Sequence, residues 1–150
     1  MIRAAVLGIM LLAGCQDSDS GLITSSDIKG DALPVALTET PGDVTRGQAI
    51  FANRESGHCV LCHVIDGLDA PFQGNVGPNL TFVGDRLNAA QLRLRIVDYQ
   101  QVRPGTLMPS YYRTHDLYQV SEDYKDATIL TAQQVEDLVA YLSELDTDDG

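Results

Sequence analysis

Apolar residues recur at helical spacing in three stretches of the chain. The clearest stretch follows Thr131, a predicted N-cap with Gln134 at the capping-box position. Its apolar stripe consists of Val135, Leu138, Val139, Leu142 and Leu145.

A second helix is predicted after Asn88, with Leu92, Ile96 and Tyr99 at spacings of four and three. A third is predicted after the N-cap Asp43, with Val44, Ala49, Ile50 and Phe51 toward one side. No stretch has the alternation of paired strands, so the pattern predicts an all-α domain.

Two long irregular segments, 64–86 and 101–129, separate the predicted helices. Loops of this length are uncommon in a small domain unless they enclose something bulky. The sequence therefore predicts a large bound group between the helices.

The N-terminus has the pattern of an export signal. Residues 1–15 combine the positive charge of Arg3 with an apolar run over 4–13, and the run is too short to cross a bilayer as a helix. The ending Leu-Ala-Gly-Cys resembles the bacterial lipoprotein box, in which Cys15 would receive the lipid and become the new N-terminus. A discarded or free Cys15 is the alternative.

The remaining chain divides by composition. Residues 16–42 are acidic and rich in small residues, which predicts a flexible tether with a reach of about 30 Å. Residues 43–146 form the predicted domain, and 147–150 form an acidic tail. The net charge of −11, with only ten scattered basic residues, argues against binding to nucleic acid.

The stretch CVLCH, residues 59–63, has the spacing by which haem is attached covalently to protein. The two thiols lie about one turn apart, so that Cys59 and Cys62 can each add to one vinyl group of the same porphyrin. His63 then lies under the iron as the proximal ligand. His58, on the other side of the pair, is expected to point away from the iron.

Three other interpretations of the cysteine pair are less well supported. A structural zinc site needs four ligands, and only His58 and His115 remain, without paired spacing. A thioredoxin-type dithiol needs a βαβ pattern, which the surrounding sequence lacks. A disulfide between Cys59 and Cys62 is strained at this spacing.

The second axial ligand of the iron has two candidates. Met108 lies in the loop GTLMPSYY and is the only methionine left once the signal is removed, while His115 would give bis-histidine coordination. Met108 is preferred because a thioether raises the reduction potential, which suits an electron carrier.

The carbonyl of Pro78 is expected to accept the other ring N–H of His63. Candidate partners of the haem propionates are Arg86, Arg93, Arg113, Tyr111 and Tyr112.

The motifs RGQAIF, CVLCH, GPNL, a methionine loop and a closing amphipathic helix are similar to those of class I cytochromes c. Longer stretches, among them MPSYYRT and AQLRLRIVDY, resemble the small monohaem subunit of the thiosulfate-oxidising Sox system, the SoxX family, over about residues 45 to 145. The resemblance implies three to five helices with long loops around one covalently bound haem c. It also implies that Cys59 and Cys62 bind the porphyrin, that His63 and Met108 bind iron, and that the chain has no catalytic residue.

The resemblance further implies a function. SoxX-type cytochromes pair with a larger haem subunit, SoxA, which carries the active-site cysteine of a thiosulfate-coupling enzyme. The pair joins thiosulfate to a carrier-protein cysteine, and the small subunit passes the released electrons to a downstream acceptor. The expected location is the periplasm, although the lipoprotein box predicts a membrane anchor that soluble family members lack. The alternatives are a stand-alone, lipid-anchored shuttle to a respiratory oxidase and, further, a haem sensor or peroxidase.

Overall fold

Three α-helices form the framework of the domain. The computed structural model describes residues 22–147, with α1 at Val44–Ala52, α2 at Ala89–Asp98 and α3 at Ala132–Ser143. Short 3₁₀ helices lie at Cys59–Leu61, Tyr99–Gln101 and Glu122–Tyr124. Within residues 22–147, strand-like pairing is limited to one isolated bridge between Lys29 and Ala32. The predicted all-α class with long connecting loops is therefore confirmed.

Each α-helix begins at its predicted cap. The side chains of Asp43, Asn88 and Thr131 each accept a hydrogen bond from the backbone N–H three residues later, at 2.8, 3.0 and 3.2 Å. At Asn88 and Thr131, the glutamine three residues later also accepts from the N–H of the cap itself. Each such cap stabilises its helix by about 1 kcal/mol.

Helix α1 packs closely across α3. Gly47 permits this approach, because a Cβ atom there would overlap the backbone carbonyl of Asp137. Beside this contact the rings of Phe51 and Tyr141 meet edge to face, with centroids 6.0 Å apart. The predicted stripe of α3 faces the core, with four of its residues buried and Leu145 partly buried against them.

Helix α2 is buried on more than one side. Leu92, Leu94, Ile96 and Val97 all belong to the core, although only Leu92 and Ile96 follow a single apolar stripe. The segments around α2 are α3, the chain that precedes α1, and residues 111–112, whose N–H groups donate to the carbonyls of Ile96 and Val97.

The expected flexible tether is wrong for residues 22–42. Leu33 is only 1% exposed, and its N–H donates to the carbonyl of Ala90 at the start of α2 (2.9 Å). Its own carbonyl accepts from Nη1 of Arg93 (2.9 Å), and the N–H of Leu37 donates to Glu136 of α3 (2.9 Å). Widely spaced apolar residues within this acidic segment, such as Leu33, bury against the helices, and the average composition conceals them.

The predicted signal peptide and Cys15 lie outside the described residues, as do residues 148–150 of the predicted tail. The domain boundaries at 43 and 146 remain predictions. Between residues 22 and 147, no helix is long and apolar enough to cross a membrane.

Candidate haem site

A tight turn brings the cysteine pair and His63 together. His58 adopts the left-handed conformation (φ +58°) and starts the 3₁₀ helix Cys59–Leu61. The carbonyl of Cys59 then accepts hydrogen bonds from the N–H groups of Cys62 (3.1 Å) and His63 (2.9 Å). These bonds fix the two cysteines one turn apart and place the histidine directly after them. Both thiols are free, so the pair forms no disulfide.

The two cysteines differ in environment. Burial raises the pKa of Cys59 to about 12, whereas Cys62 is exposed. The Sγ of Cys59 lies 3.4 Å from the carbonyl oxygen of Gly57, to which it can donate. A thioredoxin-type dithiol lies within a βαβ pattern, and residues 22–147 contain no strand, so the fold disfavours that interpretation.

The ring of His63 is held from two sides. Its Nδ1 lies 2.8 Å from the carbonyl oxygen of Pro78, and since a carbonyl only accepts, Nδ1 donates. The predicted partner Pro78 is therefore confirmed. Gly77 lies against the ring so closely that a Cβ atom would overlap Cε1. This arrangement leaves Nε2 as the nitrogen available to a metal.

Two adjoining cavities, of about 330 and 40 Å³, separate His63 from the loop that carries Met108. The residues that line both are His63, Leu80, Ile96, Met108 and Leu142. The smaller cavity also touches Cys59, Phe51 and Tyr111. An imidazole, a thioether and one of the two cysteines therefore border one largely apolar space.

The other histidines are placed differently. His115 is exposed and lines a separate cavity of about 290 Å³ beside Ile23 and Ile28. His58 borders neither of the two cavities next to His63. The geometry thus brings Met108, and not His115, to the space beside His63.

The propionate candidates separate into three groups. Arg86 lines the larger cavity and Tyr111 the smaller one. Arg93 and Arg113 are mostly buried and paired with Glu136 and Asp98, so their expected role is not supported by the geometry. Tyr112 is buried and borders the cavity that contains His115.

Sequence reasoning missed two polar side chains that line the larger cavity, Arg95 and Tyr99. The signal was present in the sequence, because Leu92, Arg95, Ile96 and Tyr99 follow one face of α2 at spacings of three and four. Arg95 is also paired with Asp31 of the N-terminal segment at 3.0 Å.

The donors at this site fit a haem better than a bare metal ion. Residues 22–147 contain no cluster of three or more His, Cys, Asp or Glu side chains able to hold a metal ion. A haem is a flat, largely apolar ligand whose iron needs only an imidazole and a thioether, so it does not require such a cluster. Two free thiols beside the imidazole supply the covalent attachment that CVLCH predicts.

Comparison with known proteins agrees with this geometry. The family model for cytochrome c matches residues 44–146. The chain belongs to the cytochrome c family. It carries one covalently bound haem c, and its domain is an electron-transfer domain.

One solved structure adds detail to the family assignment. In the crystal structure of SoxXA from P. pantotrophus, a chain is similar with 34% identity and a TM-score of 0.73. The match covers 78% of this cytochrome and 91% of that chain. A search of curated proteins found no match. This cytochrome is therefore a class I c-type cytochrome that resembles SoxX.

Proposed function

We propose that this cytochrome is the electron-transfer subunit of a SoxXA-type complex. It would accept the electrons released when a larger, SoxA-type subunit couples thiosulfate to a carrier-protein cysteine, and pass them to a downstream cytochrome. The observation that carries the proposal is the 34% identity over 91% of a chain from a SoxXA structure. A general cytochrome c shuttle would share the haem motif without sharing nearly the whole length of such a chain.

Four residues would hold the haem. Cys59 and Cys62 would form the thioether bonds, while His63 and Met108 would bind the iron. When bound, the haem supplies an iron that changes oxidation state by one electron. Met108 would favour the reduced state and so raise the potential, whereas the Pro78 carbonyl makes His63 a stronger donor.

The chain's own residues would restrict the chemistry to electron transfer. His63 and Met108 would both be ligands of the iron, and their binding would keep oxygen and peroxide from it. Leu80, Ile96 and Leu142 line the space between them with apolar side chains. Arg86 and Arg95 bring positive charge to the larger cavity, where it would offset the propionates.

The coupling reaction itself would take place on the partner. Joining a thiosulfate dianion to a carrier thiol forms one S–S bond and releases one proton and two electrons. This cytochrome would remove those electrons one at a time. We propose no catalytic residue in this chain, because Cys59 and Cys62 are committed to the haem and the active-site cysteine belongs to the larger subunit.

The surface beside the haem motif would receive the larger subunit. Gly74 donates to the carbonyl of Val60 (2.9 Å) and Gly77 to that of Cys62 (2.8 Å), so loop 72–76 lies alongside the motif. Two exposed apolar side chains project from this loop, Phe72 (89%) and Val76 (67%). Exposed apolar residues grouped at a site are typical of protein interfaces.

We further propose a periplasmic location with a lipid anchor at Cys15. The box Leu-Ala-Gly-Cys and the resemblance to SoxX support it. Metabolic labelling with a radioactive fatty acid, followed by detergent extraction, should find the wild-type chain acylated and membrane-bound. The Cys15→Ala variant should be unlabelled; labelling of that variant would contradict the anchor.

The proposed function is tested by reconstitution. The purified cytochrome would be mixed with thiosulfate, a carrier protein and a SoxA-type subunit from the same source, and haem reduction would be followed by absorbance. Reduction is expected only when all three components are present. A variant of the larger subunit without its active-site cysteine serves as the matched control and should give no reduction.

Two results would contradict the proposal. The first is absence of association with any SoxA-type subunit in co-purification. The second is turnover with a respiratory oxidase while thiosulfate, partner and carrier together leave the haem oxidised. Both results would favour the lipid-anchored shuttle instead.

A further inference from the structure

Asp98 is a buried carboxylate at the C-terminal end of α2. It lies next to the start of residues 99–113, which we call the Met108 loop. The residue is only 2% exposed. Its Oδ1 accepts a hydrogen bond from the backbone N–H of Gln100 (3.2 Å), and its Oδ2 accepts from the side-chain amide of Gln101 (3.0 Å). The first end of the loop is therefore tied to Asp98.

The same carboxylate also holds the far end of that loop. The hydroxyl of Ser110 donates to Oδ1 at 2.6 Å, and Nη1 of Arg113 donates to Oδ2 at 2.9 Å. Arg113 extends the network, because its Nη2 donates to Oε1 of Gln100 at 3.0 Å. One carboxylate thus joins both ends of the segment that contains Met108.

Between these ends the hydrogen bonds of the loop are local. The N–H of Arg103 donates to Tyr99 (2.8 Å), that of Thr106 to Arg103 (3.3 Å), and that of Met108 to the hydroxyl of Thr106 (3.2 Å). Pro104 and Pro109 have no N–H to donate. The hydrogen bonds that join this loop to α2 therefore lie at its ends, while the Met108 side chain packs against the core.

We propose that Asp98 is a positioning residue that holds Met108 toward the iron. The inference rests on the proposed binding of iron by Met108. It does not depend on the partner or on thiosulfate. A buried carboxylate that accepts four hydrogen bonds gives the groups that donate them one well-defined arrangement. If Asp98 is removed, Ser110 and Arg113 lose their common acceptor. The far end of the loop is then held by the backbone bonds from Tyr111 to Ile96 and from Tyr112 to Val97, without a side-chain tie at Ser110.

The test compares haem-loaded variants matured in a host that attaches haem c. Asp98→Ala removes both ties, Asp98→Asn keeps an acceptor for Ser110 but removes the charge facing Arg113, and Ser110→Ala removes one tie alone. Asp137→Asn is the matched control, because Asp137 is likewise a buried carboxylate (2% exposed) that pairs with an arginine, Arg46 of α1, but it contacts neither the loop nor the two cavities beside His63. Met108→Ala provides the reference for a lost ligand.

Three measurements, all made well below the unfolding temperature, report on the bond between the Met108 sulfur and the iron. They are the sulfur-to-iron charge-transfer band of the oxidised protein, the reduction potential, and carbon monoxide binding by the reduced protein. Asp98→Ala is expected to lose the band, lower the potential and bind carbon monoxide, as Met108→Ala does. Asp98→Asn and Ser110→Ala should show weaker forms of the same changes, and Asp137→Asn should show none.

The possible outcomes distinguish failure of the proposed iron site from failure of the inference about Asp98. If Met108→Ala keeps the band, Met108 is not the ligand and the proposed iron site fails. If Met108→Ala loses the band but Asp98→Ala keeps all three properties, with only a lower unfolding temperature, Asp98 is merely stabilising and the inference is overturned. Should Asp98→Ala yield no folded protein, unchanged bands in both Asp98→Asn and Ser110→Ala would overturn it equally.

Discussion

Arg93 and Glu136 form a buried ion pair that joins α2 to α3. Nε of Arg93 donates to Oε1 of Glu136 at 2.7 Å and Nη2 donates to Oε2 at 2.9 Å. The two side chains are 8% and 6% exposed. Both also bind the N-terminal segment, Arg93 through the carbonyl of Leu33 and Glu136 through the N–H of Leu37. Three separate parts of the chain therefore meet at one pair of charges.

Removing one partner of this pair should destabilise the domain strongly. Glu136→Ala leaves the Arg93 charge buried without a counterion, which costs about 3–5 kcal/mol. Denaturant unfolding of the haem-loaded protein measures the change. The double variant Arg93→Met/Glu136→Leu removes both charges and should recover much of the loss. A single variant as stable as wild type would show that water reaches the pair.

The N-terminal segment should contribute to stability through Leu33. Leu33→Ala is expected to lower the free energy of unfolding by about 2–5 kcal/mol, since it leaves a cavity against α2. The matched control is Val35→Ala, two residues along and 70% exposed, which should change it by less than about 0.5 kcal/mol. Equal, small effects of both variants would indicate that the segment is the free tether that composition predicts.

Local signals account for what the sequence predicted correctly. Asp43, Asn88 and Thr131 cap their helices through bonds that span three residues, and the Cys59–His63 turn is set within five residues. These features depend only on neighbouring residues, so their sequence patterns suffice.

The features that the sequence did not reveal depend on distant partners. The sequence pattern gives no sign that Arg93 is buried. Its partner Glu136 lies 43 positions later, and only the fold brings the two together. Leu33 lies in an acidic stretch, and its burial becomes apparent only when α2 is present to cover it. The network around Asp98 likewise required the loop to return to the end of α2.

Gly77 should be needed for the orientation of the His63 ring. A methyl group in Gly77→Ala would overlap the imidazole, so the ring must move away from its hydrogen bond with Pro78. The expected result is a changed reduction potential and a lower yield of haem-loaded protein, measured by redox titration and haem absorbance.

The control for this variant is Gly30→Ala. Gly30 has φ +63° and an open space at the Cβ position, so alanine there costs about 1–2 kcal/mol of backbone strain without touching the site. It should lower the unfolding temperature and leave the potential unchanged. If the two variants gave the same potential as wild type, contact with Gly77 would not orient the ring.

Acid should weaken the contact between α1 and α3. The hydrogen bond from Arg46, aided by the N–H of Asp43, holds the pKa of Asp137 below its usual range. A carboxylate with a lowered folded-state pKa stabilises the protein above its unfolded pKa of about 3.9, and this stabilisation is lost as the pH falls through the folded value. Asp137→Asn should therefore flatten the acid limb of a plot of unfolding temperature against pH. An unchanged limb in that variant would assign the acid sensitivity to other carboxylates.

The apolar loop beside the haem motif should contribute to binding of the larger subunit. Val76 is 67% exposed, and a valine buried at an interface contributes about 1.5 kcal/mol, so Val76→Ser should weaken association roughly tenfold. The matched control is Val35→Ser, a valine of similar exposure (70%) that lies in the N-terminal segment. Titration of each haem-loaded variant with a SoxA-type subunit, by calorimetry, gives both affinities. Equal affinities for Val76→Ser and wild type would place the interface elsewhere, whereas weakening by Val35→Ser alone would place it on the N-terminal segment.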